Sequence, residues 1–513
     1  MSYKYFFIIH FIIYCLLILG ILPREIFLFW SVALIPILIY LGSRQSLLFF
    51  ISIVTTSVAL PISYSFDSLS MWRPLIIFIG AIFIYENLNY IKSLTKKIKS
   101  RNYIFKLSNL LKFTLIFIIL LLLSLIDASD KLGGIKRLIF FTNMAIPAVL
   151  IYLQIRLNRD FIRELADAIL LSLIAPISFG IIQLSSTYLL NIYDFIIIWG
   201  EKIQHSLYGR VWSETAIKAN TWFAYFGDQL SLRMFSIFPD SHSFPIFLIF
   251  TLPAIFYRGV KKLQPKSILK KLDPIFFIVL AITLLLAILS GTRGIWASGG
   301  LMLALAISTN LISRWLNKLD LRVFSKYTFF IISLFIGLFA IAYPIFASSQ
   351  FMSDKADSDQ ILIRIRSILD LEETSNNARL YIWKKTIYSI AQSPLLGVGL
   401  YNFPVILAQD TSLTKAGSSA HNIYLHIAGE LGVPALIIVL ATCSIFIYRS
   451  YSISHSKIAN EKDKILAVIF TISFIWIGIY SMTDFALFDE RAFILFITNL
   501  AIINALYYYE STV

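Results

Sequence analysis

The sequence has little charge, few cysteines and none of the glycine motifs of nucleotide-binding proteins. Charged residues make up 14% of the chain and hydrophobic residues 58%, a balance that excludes an ordinary soluble domain. The two cysteines, Cys15 and Cys443, fall in apolar stretches far apart in sequence, so no disulfide framework is indicated. No Cys and His spacing typical of zinc and no phosphate-binding glycine loop occurs. The sequence therefore indicates neither a metal nor a nucleotide cofactor.

Long apolar runs dominate instead. The mean hydropathy is +0.79, and Phe alone occurs 43 times. A helix of roughly 17–25 residues crosses a hydrocarbon layer of about 30 Å, and about fourteen runs of that kind can be marked. They begin near Tyr5, Ile26, Leu47, Pro74, Asn109, Leu138, Ala166, Phe238, Pro274, Ile295, Thr328, Val433, Ile465 and Ala492. The predicted fold class is all-α, a polytopic membrane protein.

The positive charges predict an orientation. The net charge is +15, and Lys and Arg concentrate in alternate short loops, most clearly at 92–112, 258–271 and 449–464. Because cytoplasmic loops carry the excess of Lys and Arg, both termini are predicted to be cytoplasmic. No basic face with interleaved aromatics on a soluble domain is evident, so nucleic acid is not a predicted partner. Anionic lipid headgroups are the predicted partner of these positive charges.

Two long intervals fall on the outer side. The first, 191–236, is rich in aromatics such as Trp199, Trp212 and Trp222, which form either an interfacial belt or faces that stack on sugars. The second, 349–432, is long enough to hold a small helical cap. The predicted organisation is N-terminal helices in 1–190, a core with the first outer loop and arginine motifs in 191–348, the large outer loop in 349–432 and C-terminal helices in 433–513.

The second interval contains a predicted helix with a misplaced cation. Asn376 or Asn377 can cap a helix that ends before Pro394. Arg379 then falls in the first turn, where the helix dipole disfavours a cation. The position of Arg379 is explained either by an anionic ligand or by pairing with the acidic run that precedes the helix. The helix is predicted to bury a stripe of Leu380, Trp383, Ile387 and Ile390, and the acidic run consists of Asp354, Asp357, Asp359, Asp370, Glu372 and Glu373.

The stretch SSAHNIYLHIAGE, residues 418–430, closes this interval. Ser418 or Ser419 is predicted to cap a helix with His421 in its first turn, where the dipole favours a neutral imidazole. His421 is therefore either a proton acceptor in catalysis or a histidine that only caps the helix. Gly432 and Pro434 are predicted to break the helix before the next span.

Arg233 and Arg293 lie where a charge is expensive. Arg293 sits in SGTRGIW between two apolar runs, and Arg233 precedes FSIFPDSHSF, which leads into another span. Arginine binds phosphate bidentately, and charges at this depth are functional candidates. The alternative is that each side chain reaches out to the lipid headgroups.

Four segments together resemble the bacterial O-antigen ligase and polymerase superfamily. They are RMFSIFPDSHSF from Arg233, SGTRGIWASG around Arg293, NARLYIWKKTIYSIAQSPLLGVGLYNF from Asn377 and HNIYLHIAGELGVPAL from His421. The resemblance covers about 230–445. The segment after Arg233 departs from the pattern, because Asp240, Ser241 and His242 stand where many relatives carry an acid or Asn, a Pro and an Asn. One aspartate near His242 does not make it a metal ligand.

The resemblance implies a glycosyltransferase of the C-type helical fold in the bacterial inner membrane, with its large loop in the periplasm. Its substrates would be a glycan on undecaprenyl diphosphate and an acceptor glycan or lipid A core, with a chain-length regulator protein as partner and no cofactor. Arg233 and Arg293 would hold the diphosphate, with Arg379 as a further contact. His421 would orient or deprotonate the acceptor hydroxyl, supported by Asn422 and Glu430.

Three functions stay open at this point. A polymerase joins lipid-linked repeat units of an O-antigen, capsule or exopolysaccharide. The two outer loops favour this function because a polymerase has to bind two lipid-linked substrates. A ligase moves the finished chain to lipid A core or a protein. A lipid-linked oligosaccharide flippase is less favoured, because no internal repeat is evident and the polar residues cluster at one face.

Overall fold

The computed structural model describes nine stretches of the chain, and these are helical apart from one short hairpin and the connecting loops. The prediction of a mostly helical membrane protein is confirmed. The described residues are 2–62, 69–99, 109–219, 221–226, 229–260, 272–315, 321–352, 374–407 and 419–510. The four-part division of the chain stays a prediction.

The first half of the chain forms eleven α-helices within these ranges, together with a single-turn 3₁₀ helix at Val54–Thr56 and a π-helix at Ile196–Gln204. The α-helices are α1 Tyr3–Ile18, α2 Ile26–Ser52, α3 Trp72–Glu86, α4 Leu88–Lys99, α5 Asn109–Ser124, α6 Lys131–Leu157, α7 Phe161–Ser172, α8 Ile174–Ser186, α9 Ile192–Phe195, α10 His205–Tyr208 and α11 Arg210–Ala219.

A β-hairpin and ten further α-helices follow in the described ranges, with a 3₁₀ turn at Ala486–Phe488. The strands are β1 Phe223–Phe226 and β2 Gln229–Leu232, paired antiparallel with Phe223 opposite Leu232. The helices are α12 Ser243–Gly259, α13 Pro274–Leu289, α14 Arg293–Trp315, α15 Arg322–Gly337, α16 Phe339–Phe346, α17 Thr374–Gln392, α18 Pro404–Leu407, α19 Ile423–His455, α20 Glu461–Tyr480 and α21 Glu490–Glu510.

Eight helical stretches in the described ranges are long and apolar enough to cross a membrane, and four shorter apolar helices accompany them. The chain is therefore a multi-pass membrane protein. The count of about fourteen spans stays a prediction. Leu47 does not begin a helix of its own, because it lies inside α2 in a short arm that follows a kink at Gly42.

Helix α12 lies at the centre of the bundle. All of its side chains but that of Arg258 are buried, and it packs against α13, α20 and α21. A helix that is apolar on every side has to be surrounded by other helices or lipid, and here helices surround it. The loop that leads into α12, residues 233–242, is consequently held at the middle of one end of the bundle.

The two ends of the bundle differ in chemistry. At the end where α12 finishes and α20 begins, Arg258 pairs with Asp167 at 2.7 Å and Arg159 pairs with Asp463. Lys4 also approaches Asp167, at 3.7 Å, which puts the start of α1 at this end. The opposite end gathers the loops that enter α12, α14, α19 and α21. We call it the site end.

Only some aromatic residues of 191–236 have the exposed, interfacial location that the sequence predicts. Trp199 and Trp222 are both buried, and Trp222 stacks on Phe235 with ring centroids 4.6 Å apart. These two therefore pack the protein interior and face neither lipid headgroups nor sugars. Trp212 is 46% exposed and fits the interfacial prediction.

The longest described helix that lies wholly in the large outer interval is α17, which ends before Pro394 as predicted. Its buried face is not the predicted stripe, because Leu380 and Ile387 are exposed while Ile382 and Thr386 are buried. This face packs on α19, since the methyl group of Thr386 lies close to Gly429. The acidic run of residues 354–373 lies outside the described residues, and a cap over the membrane core stays a prediction.

Candidate active site

Five separate segments converge at the site end. They are the segment after β2 with Arg233, the start of α14 with Arg293, α17 with Arg379, the residues before α19 with His421, and the turn after α20 with Asp484. Backbone hydrogen bonds join two pairs of them, from Met234 N to Leu289 O at 3.0 Å and from Ile423 N to Ser481 O at 2.8 Å. Residues far apart in sequence therefore share one polar region.

Arg233 is the most enclosed of the arginines. Its Nη2 lies 3.2 Å from Nε2 of His242 and 3.5 Å from Oγ1 of Thr292. Its Nε is buried without a hydrogen-bond partner among the described residues. Burial, with Arg293 and Arg379 nearby, lowers the pKa of Arg233 to about 10, against the opposing effect of Tyr480 and Asp484. The side chain stays cationic at neutral pH and keeps one donor for which the described residues supply no acceptor.

Arg293 and Arg379 complete a group of three cations. Arg293 opens α14 and is half-buried; its predicted place at the membrane surface stays a prediction. Arg379 lies in the second turn of α17 rather than the first, because the helix begins at Thr374 and not after Asn376 or Asn377. Both lie close enough to Arg233 to influence its charge. Three cations converging in a partly buried region favour the binding of an anion.

His421 lies just before α19 and not in its first turn. Asn422 is the N-cap, and its Oδ1 accepts from Tyr424 N at 3.0 Å and Leu425 N at 3.1 Å. His421 itself has a positive φ of 45°, which is uncommon for a non-glycine residue and recurs at functional sites. The predicted helix start at Ser418 or Ser419 is wrong because the asparagine side chain satisfies the first free N–H groups.

The imidazole of His421 is held neutral. Burial, together with Arg379, His242 and His426, lowers the pKa of His421 to about 4, and the nearby Asp484 opposes this. The sequence predicts the neutral form from the helix dipole, whereas burial and the surrounding cations produce it in the structure. A neutral imidazole can accept a proton from a hydroxyl group.

The backbone around His421 is tied to two other helices. Trp383 in α17 donates its Nε1–H to Ala420 O at 2.9 Å. On the other side, Tyr424 donates its hydroxyl to Gly478 O of α20 at 2.7 Å. His421 is therefore fixed between α17 and α20, which carry Arg379 and Tyr480.

Glu430 does not contact His421. Its two carboxylate oxygens accept from Tyr401 N and Phe403 N, both at 3.0 Å, and His426 Nε2 lies 3.4 Å away. The GVGLYNF turn thereby docks on α19. Gly397 has a φ of +63°, and a Cβ there would collide with Gly429 O, so the close approach predicted for this turn is observed.

Two residues of this region, His242 and Asp484, are not among the predicted site residues. Nδ1 of His242 lies 2.8 Å from Oδ2 of Asp484 and 3.3 Å from the hydroxyl of Tyr480. Burial works against ionisation of Asp484, but its contact with His242, with Arg379 nearby, holds its pKa well below the usual range. A sequence signal exists for Asp484, since it is an acid in a short turn between two apolar helices.

The site is therefore a cationic region that also contains Asp484, His242 and His421. Within the described parts of the chain, no group of three or more His, Cys, Asp or Glu side chains has the arrangement of a metal site. The donors that it presents suit an anionic ligand, and His421 suits a hydroxyl group beside that ligand. The class defined by fold and site is a multi-pass membrane protein with a cationic region at one end of its helix bundle.

Comparison with known families shows what part of the chain is similar to. Residues 278–440 match the family described as O-antigen ligase, which confirms the resemblance to the O-antigen ligase and polymerase superfamily and implies a glycosyltransferase-type activity. The matched region includes Arg293, Arg379 and His421, and it ends before Asp484. No curated protein matches the chain.

Proposed function

We propose that this protein polymerises undecaprenyl-diphosphate-linked oligosaccharide repeat units of a surface polysaccharide at the periplasmic face of the bacterial inner membrane. The observation that carries the proposal is the convergence of Arg233, Arg293 and Arg379 beside a neutral His421. A lipid diphosphate is an anion that reaches a membrane protein at this depth. The orientation follows from the Lys and Arg distribution.

In the proposed reaction, an acceptor hydroxyl oxygen bonds to the anomeric carbon of the donor sugar while the bond from that carbon to the phosphate oxygen breaks. His421 takes the hydroxyl proton as general base. Arg233 and Arg293 bind the undecaprenyl diphosphate that leaves, with Arg379 as a further contact, and stabilise the charge that develops on it. The leaving diphosphate supplies the driving force, so the proposed reaction uses no nucleotide.

The two predicted supporting residues have structural roles and take no direct part in the proposed reaction. Asn422 caps α19 and so sets where His421 lies, and Glu430 anchors the GVGLYNF turn. Neither contacts the reacting groups in the proposal. A chain-length regulator protein remains a proposed partner of the polymerase.

Transfer of a finished glycan to lipid A core or a protein is the second candidate, because the matched family is described as O-antigen ligase. The two functions differ in what accumulates when the site fails. A polymerase defect leaves single repeats on carrier or core, whereas a ligase defect leaves long chains on undecaprenyl diphosphate.

The test is substitution of His421, Arg293 and Arg233 by Ala in the native host, with gel analysis of surface glycan and of carrier-linked glycan. We expect loss of the long-chain ladder with single repeats remaining. Arg210→Ala is the matched control, because Arg210 is exposed and pairs only with Glu214 in the described structure. Normal glycan from well-expressed His421→Ala protein would refute the catalytic role.

A further inference from the structure

The contacts of His242 fix which of its nitrogens carries the proton. A guanidinium group can only donate, so Nε2 of His242, 3.2 Å from Arg233 Nη2, must be the acceptor. The proton is then on Nδ1, which donates to Asp484 Oδ2 at 2.8 Å. His242 therefore links a carboxylate to an arginine.

Asp484 and the backbone of His242 are both held by hydrogen bonds. The other carboxylate oxygen of Asp484, Oδ1, accepts from Phe485 N at 2.7 Å and Ala486 N at 2.9 Å, so the carboxylate cannot rotate away. The backbone N–H of His242 donates to Asp240 Oδ1 at 2.8 Å. The imidazole thus has a fixed orientation toward Arg233.

We propose that Asp484 and His242 are positioning residues for Arg233, which they hold with its unpaired Nε–H directed at the lipid diphosphate. The inference rests on the proposed function and adds two residues to it. Asp484 fixes the tautomer of His242, and His242 fixes the guanidinium. The nearby Thr292 is only a weak alternative anchor, since its Oγ1 lies 3.5 Å from Nη2.

The Asp484→Asn substitution separates positioning from charge. The asparagine keeps an oxygen for the two backbone N–H groups, but it places an NH₂ group against Nδ1 of His242. The imidazole proton then moves to Nε2, and two donors face each other between His242 and Arg233. Removal of a negative charge would by itself tighten anion binding, whereas loss of positioning weakens it. Whether the affinity for the anion rises or falls in Asp484→Asn therefore distinguishes the two effects.

The experiment uses the full-length protein in phospholipid nanodiscs, titrated with undecaprenyl diphosphate and followed by tryptophan fluorescence. We expect Asp484→Asn and His242→Leu to weaken binding about tenfold to hundredfold, the equivalent of one oriented, charge-assisted hydrogen bond. His242→Gln restores an acceptor near the position of Nε2 and is expected to stay within about threefold of the wild type.

Asp489→Asn is the matched control. Asp489 is a buried carboxylate of the same turn that accepts from Arg491 N at 3.0 Å and Ala492 N at 3.2 Å, and it has no hydrogen bond to His242 among the described contacts. Its variant is expected to bind like the wild type or slightly more tightly. Equal weakening in Asp489→Asn and Asp484→Asn would overturn the positioning role.

Two further outcomes distinguish the inference from the function on which it rests. If the wild-type protein does not bind undecaprenyl diphosphate, the proposed function itself fails. If the wild type binds and Arg233→Ala does not, but Asp484→Asn and His242→Leu bind as tightly as the wild type, the positioning role is wrong and the proposed function stands.

Discussion

Glu430 offers the sharpest stability prediction, because one side chain satisfies two backbone donors of the GVGLYNF turn. In Glu430→Ala both the Tyr401 and the Phe403 N–H, each 3.0 Å from a carboxylate oxygen, lose their acceptor. A buried donor left unpaired costs about 1–3 kcal/mol, so the free energy of unfolding should fall by about 2–6 kcal/mol. Glu430→Gln leaves one oxygen in place and should cost about 1–3 kcal/mol.

The assay is unfolding in mixed micelles titrated with a denaturing detergent. Glu214→Gln is the control, because Glu214 makes a surface ion pair with Arg210 within α11 and such pairs contribute less than about 1 kcal/mol. The expected order of destabilisation is Glu430→Ala, then Glu430→Gln, then the control. A Glu430→Gln protein as stable as the control would refute the anchoring role.

Three further outcomes are expected near the site. Asn422→Ala should cost about 1 kcal/mol of unfolding free energy through the lost helix cap, while Asn422→Asp should cost almost nothing in the same assay. Trp383→Phe should loosen the backbone at Ala420, seen as faster amide hydrogen exchange there while α20 is unchanged. The pKa of His421 is lowered from 6.5 to about 4, so the unfolded state binds the proton more tightly and stability should fall as the pH drops through this window. His421→Asn should flatten that fall in a pH series of unfolding measurements; an unchanged slope would contradict the lowered pKa.

Hydropathy is sufficient to predict the class and most helices, because a bilayer requires long apolar helices whatever their packing. It fails at Leu47, where an apolar run lies within the kinked helix α2. The break follows from Gly42, which has a positive φ of 70°. A glycine in an apolar run is common, and its conformation depends on neighbours that one sequence does not reveal. The predicted buried face of α17 is wrong for the same reason, because α19, the helix against which it packs, is a separate segment of the chain.

For the site, single residues could be proposed but their partners could not. Arg233, Arg293, Arg379 and His421 stand out because charge is expensive near lipid. The pairing of His242 with Asp484 joins positions 242 residues apart, and no local pattern encodes it. Helix caps are also underdetermined, since several serines and asparagines compete before α19 and only packing selects Asn422.

The kink at Gly432 has a mechanical consequence for the protein. Gly432 has a φ of +83°, and a Cβ there would collide with Leu395 O, so the nine residues before it form an arm that is distinct from the long helix after it. That arm is hydrogen-bonded to Gly478 of α20 and to Ser481, the residue that follows α20. Bending of the long helix as bilayer thickness varies can be absorbed at the kink, while His421 keeps its distance to Asp484. We therefore expect the arrangement of residues at the site end to change little when the surrounding membrane deforms.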